Sequence, residues 1–174
     1  TRTRRAFDRW ALDSGVVYLN HGSFGATPRA VLAAQDELRA RLEAGPVRFF
    51  EDHYPPARDE ARRALAAFLG ARPADLAFVC NATTGVNTVL RSLRLEPGDE
   101  LLTTDHEYNA CRNALEAVAG AAGAVVKVAQ VPFPVASGDE IVDRVLDRVS
   151  SRTRLLLVDH VTSQTALVMP VASL

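Results

Sequence analysis

The chain has 174 residues, of which 48% are hydrophobic, enough to build a core for one domain or part of one. A formal net charge of −1 leaves no electrostatic footprint for nucleic acid or an anionic membrane surface. No apolar run approaches a membrane span, and Cys80 and Cys111 form no metal-ligand spacing, so a reduced, cytoplasmic protein without metal is expected.

Residues 1–13 are polar and Arg-rich, with Phe7, Trp10 and Leu12 as anchors, and predict a short helix or arm. The opening Thr-Arg-Thr-Arg-Arg has no apolar segment behind it, so no signal peptide is expected. The chain does not start with Met and ends at Leu174 without a stop signal, which predicts a piece of something longer. After the apolar run Val16 to Leu19 comes a loop, Asn20-His21-Gly22-Ser23-Phe24-Gly25-Ala26-Thr27-Pro28. Thr27 and Pro28 predict the cap and first residue of a helix that carries Val31, Leu32, Leu38 and Leu42 and stops near Gly45. The segment Val47 to Pro56 is dense in aromatics: Phe49 and Phe50 pack beneath neighbouring helices, or with Arg48 they line a substrate mouth. A helix from about Pro56 to Leu69 follows, with Ala61, Leu65 and Phe68 on one face and Gly70 at its end.

From Leu76 onward strands and helices alternate. The predicted strands are Leu76–Cys80, Glu100–Thr103, Ala124–Ala129 and Arg154–Asp159; the predicted helices are Gly85–Leu93, Asn109–Ala119 and Asp139–Val149. Crossovers of this length imply an α/β fold with a mostly parallel sheet covered on both faces. Ligands of such sheets gather at the carboxyl ends of the strands. Those ends deliver Asn81 to Gly85, Asp105 to Tyr108, Gln130 to Pro132 and Asp159 to Ser163. The first is the most informative. A strand that turns at once into a helix leaves backbone N–H groups unpaired, and small residues at Ala82 to Gly85 let an anion approach them. This predicts a phosphate pocket with Thr83 and Thr84 as extra donors; the plainer alternative is an ordinary helix cap.

Four segments in order, Tyr18 to Gly25, Asn81 to Asn87, Thr104 to Tyr108 and Asp159 to Ser163, resemble the class V aminotransferase superfamily and, within it, the isopenicillin N epimerase-like group. The resemblance implies a type I fold pyridoxal-phosphate (PLP) enzyme. Residues 1–70 are then an arm with helices bordering the active site, and residues 71–174 the first part of the PLP-binding large domain. It further implies that Ala82, Thr83 and Thr84 hold the cofactor phosphate. His106 or Tyr108 stacks on the ring, with Tyr108 favoured, and Thr162 or Ser163 bonds near the ring hydroxyl. Asn20, His21 and, more weakly, Arg48 meet an amino-acid substrate in what is normally a homodimer.

Two family features are missing from their expected places. The Schiff-base lysine is one: Lys127, the only lysine, lies mid-strand rather than in a Ser-His-Lys loop. The other is the aspartate that pairs with the pyridinium nitrogen, since Asp159 stands one strand too early. The chain is thus expected to contribute no catalytic residue and to be inactive alone. It reads as the amino-terminal part of an enzyme that forms an external aldimine with an amino acid, with epimerase, aminotransferase or carbon–sulfur lyase chemistry. The alternatives are a non-catalytic remnant that binds a phosphorylated ligand or a protein, and half of a split enzyme.

Overall fold

The computed structural model describes residues 8–174, so the expected anchor Phe7 lies outside the described residues. The chain forms two compact units, one ending at Phe78 and the other Val79–Leu174, which are taken in turn.

In the first unit residues 8–13 form no helix; Trp10 instead pairs with Pro28 in an isolated antiparallel bridge. A single helical turn, His21–Phe24, precedes helix α1, Arg29–Ala44. Pro28 occupies the cap position of α1, one residue later than the sequence suggested, and no side chain caps this helix. A short helical turn, Pro46–Arg48, runs into a wider π-type turn, Phe49–His53, in which the Tyr54 amide bonds back to the Phe49 carbonyl. Helix α2, Tyr54–Leu69, then starts on Pro55 and Pro56, whose missing N–H groups are tolerated in a first turn. Gly70 ends it in the left-handed region (φ 67°), as the sequence predicts.

Two packing expectations fail in this unit. Phe50 is 56% exposed and meets Phe49 and Tyr54 only edge-on, so it does not pack beneath helices. Phe68 is 85% exposed, and Ala66 is the one buried residue of α2. The expected face lies open as a whole, since Ala61 and Leu65 are exposed as well, and periodicity does not report what lies opposite a face.

The second unit holds helix α3 (Ala82–Ser92), strand β1 (Glu100–Thr104), helix α4 (Asn109–Ala122), strand β2 (Val125–Ala129), helix α5 (Gly138–Leu146) and strand β3 (Thr153–Leu156). The sheet is parallel throughout, in the order β2-β1-β3. All five residues of β1 are buried. Its neighbours Leu101 and Leu102 point to opposite faces. Leu101 joins Leu90, Leu115 and Ala119 beneath α3 and α4. Leu102 joins Ala129, Ile141, Val145 and Met169 beneath α5. The expected two-faced α/β sheet is therefore present.

The run Leu76–Cys80 is the exception. It forms no strand, Phe78 and Val79 are half exposed, and Cys80 is exposed rather than buried at a strand end. A β-rich run becomes a strand only when a neighbour takes up its backbone groups, and none does so among the described residues.

The amino end of the sheet is closed by charge. The Glu100 carboxylate is 1% exposed and pairs with Lys127 Nζ at 2.8 Å and with Arg152 at 3.0 Å; the Ser150 hydroxyl also donates to it. Beside it Arg154 Nε meets Asp99 at 2.9 Å. The Lys127 hydrogen bond, then those of Ser150 and Arg152, hold the Glu100 carboxyl down to about 2 from its ordinary 4.5, against a burial effect of opposite sign. A depressed carboxyl favours the native state above pH 4.5, and the contribution fades as pH falls toward 2. Acid titration followed by circular dichroism should therefore show unfolding that steepens over that window. Glu100→Gln should flatten the slope while lowering stability at pH 7; an unchanged slope would refute the assignment. In the core, Leu115→Ala should cost about 2–5 kcal/mol in urea unfolding.

Candidate functional site

The loops leaving the carboxyl ends of the three strands are tied to one another. Asp105, just past β1, accepts from the Val131 amide beyond β2 at 2.9 Å. His106 is buried, with Nε2 2.9 Å from the Val131 carbonyl and Nδ1 3.0 Å from the Thr165 hydroxyl beyond β3. A carbonyl only accepts, so Nε2 carries the proton, and in the neutral ring Nδ1 accepts from Thr165. Thr165 then accepts from Thr162, 2.8 Å away, whose oxygen takes the Leu167 amide at 2.9 Å. The Gln164 side chain donates to the Glu107 carbonyl, and the Tyr108 amide donates to Asp159 at 3.0 Å.

These bonds sort the expected ring-contact residues. His106 is enclosed and both ring nitrogens are bonded, whereas Tyr108 is 45% exposed with its ring free. Thr162 is 3% exposed and its hydroxyl is engaged in the turn, whereas Ser163 is exposed.

The phosphate-loop candidates sit at the start of α3. Asn81 is the cap: its side-chain oxygen takes the Thr84 amide at 2.8 Å and the Thr84 hydroxyl at 3.0 Å. The plainer alternative, a helix cap, is therefore present, and it engages Thr84 but not the first two amides of the helix. Thr84 has both donors engaged, while the amides of Ala82 and Thr83 have no partner among the described residues. The Thr83 hydroxyl lies beside the Cys111 thiol of α4, linking the start of α3 to the start of α4.

Beneath this link lies an acidic pair. Glu107 is 5% exposed, and burial first, then the Asp159 charge, push its carboxyl up to about 7. Burial also raises Asp159 above its ordinary range. The Cys111 thiol is raised by burial and by the same two carboxylates, which makes it a poor nucleophile. Sequence reasoning did not assign roles to Glu107, Gln164 or Thr165. Glu107 stood at a strand end, a signal that could have found it; Gln164 and Thr165 had no local signal.

The remaining candidates belong to the first unit. Asn20 caps the turn His21–Phe24 through the Ser23 amide, and His21 lies against the rings of Trp10 and Tyr18. Arg48 is exposed and forms no ion pair among the described residues. No group of His, Cys, Asp and Glu among the described residues could hold a metal. No described helix is long and apolar enough to cross a membrane.

Two changes test this geometry. Asn81→Ala should remove about 1 kcal/mol of helix stability, read by thermal unfolding. For Glu107 the sign runs opposite to Glu100. A raised carboxyl favours the native state below pH 4.5 and loses that contribution as pH climbs through about 7. The melting temperature of the parent should fall between pH 5 and 8 and that of Glu107→Gln should fall less; parallel curves would contradict the buried pair.

Residues 17–174 match the Aminotransferase class-V family. Over its whole length the chain is 41% identical to isopenicillin N epimerase of Amycolatopsis lactamdurans, covering 44% of that protein. Over 93% of its length it is 34% identical to a probable chloroplastic L-cysteine desulfhydrase of Arabidopsis thaliana, covering 37% of it. Among solved structures, a cysteine desulfurase of Escherichia coli superposes with a TM-score of 0.80 at 27% identity, over 97% of this chain and 44% of that one. The chain thus spans less than half the length of these relatives.

Proposed function

The chain belongs to the class-V aminotransferase family, a PLP-dependent family with the type I fold, and from that premise we propose that it forms the phosphate-and-ring side of a PLP site in an enzyme acting on an amino acid. One observation carries the reading. The uncommitted amides of Ala82 and Thr83 stand at the positive end of α3, on the carboxyl side of a parallel sheet, and Thr83 adjoins the start of the helix that follows Tyr108. Two free N–H groups at a helix start are the donor set a phosphate monoester needs.

Ala82 and Thr83 hold the phosphate, and Thr84 joins them when Asn81 releases it. Tyr108 covers the ring face, restricting its position and excluding water, while His106 holds the loop that presents Tyr108. Ser163, exposed where Thr162 is enclosed, bonds near the ring hydroxyl. Asn20 and His21 border the substrate, and Arg48 receives its carboxylate. When bound, PLP supplies an electron sink that labilises a bond at the α-carbon of an amino acid. Lys127 does not supply the amine for that chemistry: it reaches back to Glu100 at the opposite end of the sheet. We assign that amine to a segment outside these 174 residues and read the whole enzyme as a homodimer.

The 41% identity to an epimerase favours proton removal and return at the α-carbon. Sulfur transfer through Cys111 is disfavoured by its burial and raised thiol.

Adding PLP to the chain alone should give saturable binding that quenches with inorganic phosphate as competitor. Borohydride should leave no adduct on Lys127. Tyr108→Ala should weaken PLP binding about three- to tenfold, as expected for one aromatic contact. A stable reduced adduct at Lys127, or binding indifferent to phosphate, would refute the assignment.

A further inference from the structure

The turn at His21 is held more firmly than its exposure explains. His21, Gly22 and Ser23 are exposed, and Phe24 is 76% exposed, so no core demands that the turn be rigid. Yet it is restrained from two sides. The Tyr18 hydroxyl donates toward the carbonyls of Phe24 and Asn20, and its ring stands edge-on to His21 with centroids 4.9 Å apart. On the other side, the Trp10 ring lies 5.9 Å from His21, tilted 49°, and its indole N–H donates to the Ala26 carbonyl at 3.1 Å. Trp10 is itself anchored. It bridges Pro28, and its carbonyl accepts from the Arg29 side chain at 3.2 Å, while the Arg29 amide bonds to the Arg9 carbonyl at 2.8 Å. Gly25 completes the closure, since a Cβ there would stand 2.9 Å from the His21 carbonyl oxygen.

We propose that Trp10 is a positioning residue: it straps the Asn20–Pro28 loop and fixes the His21 imidazole where it borders an amino-acid substrate. The physical basis is that an exposed histidine has two free side-chain torsions, and a ligand must freeze both on binding. Two flanking rings freeze them in advance, so the substrate meets an oriented donor, and rigid support of this kind raises affinity rather than turnover. The proposal rests on the reading of His21 as a substrate-bordering residue, made above.

The test uses the full-length PLP-loaded enzyme with its amino-acid substrate. Trp10→Ala should raise KM about three- to tenfold and leave kcat within about twofold, the size of one aromatic contact expressed in ground-state binding. Trp10→Phe, which keeps a ring but loses the indole donor, should recover part of the KM. His21→Asn should raise KM, and in that background Trp10→Ala should add almost nothing, because Trp10 acts through His21. In the proton NMR spectrum, the His21 ring resonance should move in Trp10→Ala, since the indole ring current is gone, while PLP absorbance is retained. Additive KM effects of the two substitutions, or loss of bound PLP in both Trp10 variants, would overturn the proposal alone and leave His21 at the substrate. A His21→Asn enzyme with unchanged KM would overturn both the proposal and the substrate reading of the loop.

Discussion

The hydrogen bonds of His106 are the constraint on which the carboxyl end of the sheet depends. A parallel sheet delivers its strand ends side by side but does not by itself fix the loops that leave them. Here one imidazole bridges two loops from a third: it stands beyond β1, donates to the Val131 carbonyl beyond β2, and accepts from Thr165 beyond β3. Because a carbonyl cannot donate, the Val131 bond selects the tautomer, and the tautomer sets the direction of every hydroxyl back to the Leu167 amide. Removing His106 or Thr165 leaves a buried polar group without a partner, which is costly away from water.

The consequence for chemistry is a division of labour between adjacent aromatic residues. His106 is enclosed and fully bonded, so it shapes the loop. Tyr108, two residues on, has its amide held by Asp159 and its ring left free. The same contrast separates Thr162 from Ser163. In both pairs the buried member supports and the exposed member is available to a ligand.

Charge is distributed in the same spirit. At the amino end of the sheet a buried carboxylate, Glu100, is met by two cations and stays ionised. At the carboxyl end Glu107 forms no ion pair among the described residues, faces Asp159, and is pushed toward the neutral form despite the more distant Arg112 charge. The first arrangement ties up Lys127. The second leaves the amides of Ala82 and Thr83 as the positive feature of the α3 start, where an anion is favoured.

Much of this was legible along the chain. Alternation of apolar runs with helical spacing predicted the parallel α/β sheet, because strand and helix periods are local properties of the backbone. The small, hydroxyl-rich stretch after Cys80 pointed to a helix start, because the loss of intrahelical partners there is also local, although the helix was expected from Gly85 and α3 begins at Ala82. The strand at Leu76–Cys80 was misread, since a strand needs a neighbour that a local pattern does not supply. The same limit applied to Phe50 and Phe68, whose apolar spacing says nothing about what lies opposite. Which of His106 and Tyr108 is enclosed and where Lys127 points were decided by tertiary structure alone. Each depends on residues 25 to 60 positions away, such as Val131, Thr165 and Glu100, that only folding brings within hydrogen-bond distance. The sequence by itself determined the alternation of helices with the three paired strands and the family to which they belong; the tertiary structure decided which side chains are consumed in holding the loops and which are left free, because that choice is made mostly by contacts between segments far apart in the chain.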